Sequence, residues 1–168
     1  MKSDKNMTKR QYIPTMRREI NELVVMPVYV ADDVNGNDFE AVKAQLVREN
    51  TGDSGLHFLV MADGTPRADR IVQRIADALT YHNTESVVIG YVVKGNSLTP
   101  DPSIPANAPT RSLSTGEGSE KQSATIEALL TALHATFPKA TLIDVERWNR
   151  HTANIRDPKE SRWARVFE

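Results

Sequence analysis

The sequence predicts an α/β fold, a mixed central β-sheet flanked by helices, on two observations. Short runs rich in β-branched residues alternate along the chain with segments whose apolar residues recur every three or four positions. No internal repeat interrupts that alternation. The 168 residues suffice to bury one sizeable core. Residues 1–19 read as a flexible basic arm, and 20–168 as a single domain.

The first element, Leu23 to Val30, is short and β-branched, as a buried strand should be. Pro27 inside it cannot donate a ladder hydrogen bond, which implies an edge or a strand end. Asp32 to Asn37 reads as a loop, Asp38 as an N-cap, and Phe39, Val42, Leu46 and Val47 as a helix running to about Glu49. After a turn cluster at 50–54, Leu56 to Met61 is a second strand closed by the turn pair Asp63-Gly64. Thr65 can cap and Pro66 suits a first helical position. With Ile71, Ile75 and Leu79 spaced by four, a helix is expected over Pro66 to Thr80.

Val87 to Val93 is a third strand. Residues 96–118 hold Pro100, Pro102, Pro105 and Pro109 among Ser and Gly, a composition that reads as a mobile surface loop. A helix from about Glu120 to Thr136 carries Ile126, Leu129, Leu130 and Leu133, and Leu142 to Val145 is a fourth strand.

Composition excludes several function classes. The absence of cysteine removes disulfides, a thiol nucleophile, a Cys-based zinc site and an iron–sulfur cluster. A net charge of −1 argues against a nucleic-acid binder driven by bulk charge. The basic residues before Glu19 are followed by no apolar stretch of signal-peptide type, and no run reaches membrane-span length, so a cytoplasmic protein without membrane contact is expected. No Gly-x-Ser-x-Gly elbow, phosphate loop or dinucleotide fingerprint is present. Asp32, Asp33, Asp38 and Asp53 read as solvated loop acids.

Gly55-Leu56-His57-Phe58, then Asp63-Gly64-Thr65, Arg70, Asn83, Ser86 and Ile89-Gly90 form an ordered series. Together with the helix ending at Phe137-Pro138 and the strand after it, this series resembles the zinc-dependent N-acetylmuramoyl-L-alanine amidases of the bacteriophage lysozyme and peptidoglycan-recognition type. The resemblance covers about Leu23 to Trp163. The family makes a strand and an irregular loop after Asp-Gly-Thr, so the expected helix over Pro66 to Thr80 departs from it.

The resemblance implies three zinc ligands and an open position for a water that the metal acidifies. The first ligand matches Met26 or Pro27, the second falls on or near Val145, and only the third finds a competent residue, Asp157. Proline has no donor, and a thioether is a poor zinc ligand. The family's catalytic tyrosine matches Leu56, and its frequent lysine matches Ile155. An amidase fold without its catalytic apparatus is therefore expected, with no cofactor. The alternative is an active zinc amidase with displaced ligands around His151 and Asp157.

Of the other histidines, His57 lies between Leu56 and Phe58 and reads as a hydrogen-bonded structural residue. His134 reads as a partly exposed helix residue. His82 and Asn83, near the loop that borders the family's groove, are candidate ligand contacts. Trp148 and Arg150 are two more, within a C-terminal stretch where arginines interleave with Trp148, Trp163 and Phe167. That stretch suits a glycan, a protein interface or a Trp-capped core, and least of all nucleic acid. The resemblance implies a peptidoglycan fragment as ligand. A protein partner is equally implied, since bacteriophage members of the family also bind and inhibit a polymerase, and a phage product in its host is the expected setting.

Overall fold

The computed structural model describes residues 18–31, 33–46, 54–78, 82–94, 119–148 and 153–168. The basic arm up to residue 17, the loop expected over 96–118, Arg150 and His151 lie outside these residues.

Six strands form one mixed sheet in the order β3-β2-β4-β1-β5-β6. β1 (Glu22–Val30), β2 (Phe58–Val60), β4 (Ser86–Lys94) and β5 (Thr141–Trp148) run parallel, while the edge strands β3 (Pro66–Ala68) and β6 (Ala153–Arg156) are antiparallel to their neighbours. The central strands are continuous β-branched runs because both faces are covered. On one face Leu23, Val25, Val87, Ile89, Tyr91 and Leu142 pack under Ile126 and Leu130 of the long helix α2 (Ser119–Thr136). On the other, Val24, Met26, Val28, Val88, Leu59 and Val145 pack with Phe39 and Val42 of the short helix α1 (Phe39–Leu46).

Local chemistry explains how each helix is held. Asp38 Oδ1 accepts the Ala41 N–H at 3.1 Å and starts α1. Near its end, Gln45 accepts the Ala31 N–H at 3.1 Å, tying the helix to the exit of β1. In α2, Gln122, Ile126 and Leu130 share a face at spacing four. The buried Gln122 amide donates to the Met61 and Val92 carbonyls at 3.1 and 2.8 Å, bridging the ends of β2 and β4. No helix of the described residues is long and apolar enough to cross a membrane.

Two expectations need correction. Pro27 is not at a sheet edge: β1 lies between β4 and β5. The ladder to β5 closes at Val25↔Asp144, before Pro27, so the missing N–H interrupts none of its rungs. The helix expected from Pro66 is instead a β2–β3 hairpin followed by irregular turns. Gly64, at φ +90°, reverses the chain, and Met61 donates to the Thr65 carbonyl at 2.8 Å. The four-residue spacing marked no buried face, since Ile71 and Ile75 are 60% and 49% exposed.

The C-terminal residues are ordered by capping and burial. Asp157 Oδ1 accepts the Lys159 N–H at 3.0 Å and opens a 3₁₀ turn at Pro158–Glu160, and a second follows at Ala164–Phe167. Between them Trp163 is buried in the α2-side core and its indole N–H donates to the Ser123 carbonyl at 3.1 Å. Trp163 therefore caps the core. β6 carries no strong strand signal and is not predicted by its sequence.

Candidate functional site

Register brings the positions that resemble catalytic ones onto a single transverse row. Arg67 pairs with Leu59, Leu59 with Gly90, and Gly90 with Met26. Val145 lies one residue beyond the last β1–β5 rung, on the same face as Met26, and pairs in turn with Ile155 of β6. Leu56 roofs the middle of this row: a Cβ added at Gly90 would come 2.9 Å from Leu56 Cδ1 and 2.4 Å from Val28 Cγ2. Met26, Val145 and Leu56 thus belong to one core cluster on this side of the sheet.

The side chains there do not fit a zinc ion. Met26 and Val145 are 2% and 0% exposed and belong to the α1-side core. Neither offers zinc a useful donor. Asp157 stands exposed after β6, with Oδ1 engaged in its helical cap. Among the described residues no group of three His, Asp or Glu side chains could hold a metal.

His57 is built into the fold. It is fully buried, and its Nδ1 accepts the Val88 N–H at 3.0 Å. The ring proton therefore sits on Nε2, which donates to the Arg74 carbonyl at 2.8 Å. Arg18 Nη2 lies 3.2 Å from Nε2 and donates to the Val72 carbonyl at 2.6 Å. These contacts hold the irregular turns after β3 against the sheet.

Three of the four candidate contact residues are described, and they fall in two regions. His82 Nδ1 is 2.9 Å from Glu22 Oε1, at the start of β1, and its carbonyl accepts from Ser86 Oγ. Asn83 is engaged in loop closure: its Oδ1 accepts the Ala78 N–H at 2.9 Å and its carbonyl the Ala76 N–H at 3.3 Å. Glu22 pairs with Thr141, and Trp148 lies at the far end of that same strand. At the usual strand rise the two ends are roughly 23 Å apart. Arg150 follows Trp148 outside the described residues.

Two polar clusters were not foreseen. On the α2 face, the buried Asp144 carboxylate accepts from Ser161 and lies 3.9 Å from Arg156 Nε, its cross-strand partner. Arg156 also reaches Glu146 at 3.4 Å. Burial pushes the Asp144 carboxyl above the ordinary carboxylate range, against the opposing pull of Ser161, Arg156 and Arg162. On the α1 face, Arg67 stacks over the Phe39 ring at 4.3 Å and Lys43 approaches the same ring at 5.6 Å. Lys43 also pairs with Asp69 at 3.3 Å, and Asp69 accepts from the Ser54 hydroxyl and, at 2.8 Å, from its N–H. Alternation along β3 would have placed Arg67 beside Phe39 had the segment been read as a strand.

No family model matches the chain, and no curated protein does. Among solved structures, it is similar to PGRP-Hd from Alvinella pompejana, at 13% identity over 80% of this chain and 82% of that one, with a TM-score of 0.49. It is also similar to the Ph2119 endolysin from Thermus scotoductus MAT2119 bacteriophage Ph2119, at 18% identity over 94% and 92% of the two chains and a TM-score of 0.49.

Proposed function

We propose that this protein is a non-catalytic, amidase-type domain that binds a peptidoglycan fragment without cleaving it. One observation carries the reading: the neighbourhood where a zinc site would stand is filled by Met26, Val145 and Leu56, buried and apolar. A carbonyl cannot be polarised, nor a water acidified, by side chains of that kind. Trp148, the last residue of β5, and Arg150, two positions on in the sequence, are the proposed contacts, an indole and a guanidinium suiting a sugar face and its acidic peptide. His82 and Asn83 are at most a separate, secondary contact, because they lie at the opposite end of the sheet.

Titration with a monomeric N-acetylmuramoyl tetrapeptide, followed by chromatography of the mixture, tests this. Saturable binding with no released peptide is expected, weakened in Trp148→Ala and Arg150→Ala with folding retained. Release of the peptide would overturn the non-catalytic reading and favour the displaced-ligand zinc amidase. Failure to bind would overturn the peptidoglycan reading, and capture of a protein partner would then replace it.

A further inference from the structure

The transverse row is apolar along its length except at one end. Leu59, Gly90, Met26 and Val145 are buried, whereas Arg67 at the β3 edge is exposed and cationic. The guanidinium is held from below by the Phe39 ring. No carboxylate pairs with it among the described residues. The neighbouring acids are otherwise engaged: Asp69 takes Lys43 and Ser54, and Asp38 Oδ1 takes the Ala41 N–H. Glu40 is exposed on α1 without such a bond. A stacked arginine is already ordered, so it loses little freedom when its free N–H edge meets a planar anion. Lys43 approaches the same ring from its ion pair with Asp69, a second cation near the first.

We propose that Arg67, ordered on Phe39 and supported by Lys43, is a binding site for a peptide carboxylate, engaged bidentately by the guanidinium. The site deepens the proposed function and rests on it: the acidic stem peptide of a peptidoglycan fragment supplies that carboxylate. The β3 edge favours recognition through this side chain over added-strand pairing. Arg67 already pairs with Leu59 on β2, and Pro66 offers no N–H to a further strand.

The test compares an N-acetylmuramoyl tetrapeptide with the same compound amidated at every carboxylate. The wild-type protein should bind the free acid at least about tenfold more tightly than the amide. Arg67→Gln should lose about the same factor on the free acid and little on the amide. Arg67→Lys should recover only part, since a point charge lacks the fork. Lys43→Gln should cost less. Equal affinity of the wild type for acid and amide, or wild-type affinity in Arg67→Gln, would overturn the carboxylate site and leave the peptidoglycan reading standing. If the wild type binds neither compound, both fall. The acid–amide comparison needs no variant, and the exposure of Arg67 lets unfolding midpoints confirm that its substitutions fold.

Discussion

Gly90 stands directly across the β1–β4 ladder from Met26, and its missing side chain makes room for Leu56 and Val28 above the sheet. Met26, Val28 and Leu56 are all buried there, in one core cluster. Packing, not a polar constellation, occupies the middle of this face.

That closure makes Gly90→Ala a sensitive probe. The added Cβ would lie 2.4 Å from Val28 Cγ2, well inside contact distance, and Val28 is a stiff β-branched side chain on the central strand β1. A loss of about 1–3 kcal/mol in unfolding free energy is expected from overpacking, measured by urea denaturation. An unchanged midpoint would show that the row is looser than described.

His57 gives a second, independent measure of how the turns after β3 are held. His57→Ala leaves the Val88 N–H and the Arg74 carbonyl without their ring partners and opens a cavity between them. At least about 3 kcal/mol of destabilisation is expected. A loss below about 1 kcal/mol would show that the ring contributes little, since a net hydrogen bond alone is of that order.

Asp144 sets a pH dependence of definite sign. Its carboxyl is raised by burial in the folded protein, so the folded state holds the proton more tightly than the unfolded chain. The stabilisation of the neutral form is complete below the ordinary carboxylate value. It is lost as pH climbs through the raised one. Unfolding followed from ~pH 4 to ~pH 8 should show the wild type losing more stability on the alkaline side than Asp144→Asn, which carries no titrating proton. The reverse order would mean that Arg156 and Arg162 outweigh burial.

The C-terminal cap is tested at Trp163. Trp163→Phe removes the bond to the Ser123 carbonyl but keeps most of the buried ring, at an expected cost of about 1 kcal/mol. Trp163→Ala should cost about 3–5 kcal/mol. Denaturant midpoints separate the two.

Much of this architecture is legible in the residues. The β-branched runs of β1 and β4 declare buried central strands, and Ile126, Leu130 and Leu133 declare the long helix. His57 reads as structural and is so, yet alternation does not set it opposite both neighbours: Leu56 packs in the α1-side core and Phe58 against the α2-side core, because β2 begins only at Phe58. The hairpin at Pro66–Ala68 is hidden because its three residues carry no strand preference, while the downstream isoleucines mimic a helical period that packs against nothing. β6 is hidden for a similar reason: Ala153 to Arg156 is held by register with β5 and by the Arg156–Asp144 contact, both long-range effects. The stacking of Arg67 on Phe39 depends on that unrecognised hairpin, so it too needed the three-dimensional arrangement.

Zinc content bears most directly on the central claim. The purified protein, equilibrated with zinc and dialysed, should retain far less than one ion per chain by elemental analysis, with Asp157→Ala indistinguishable from it. Stoichiometric zinc that disappears in Asp157→Ala would contradict the account and point to a ligand set built around Asp157.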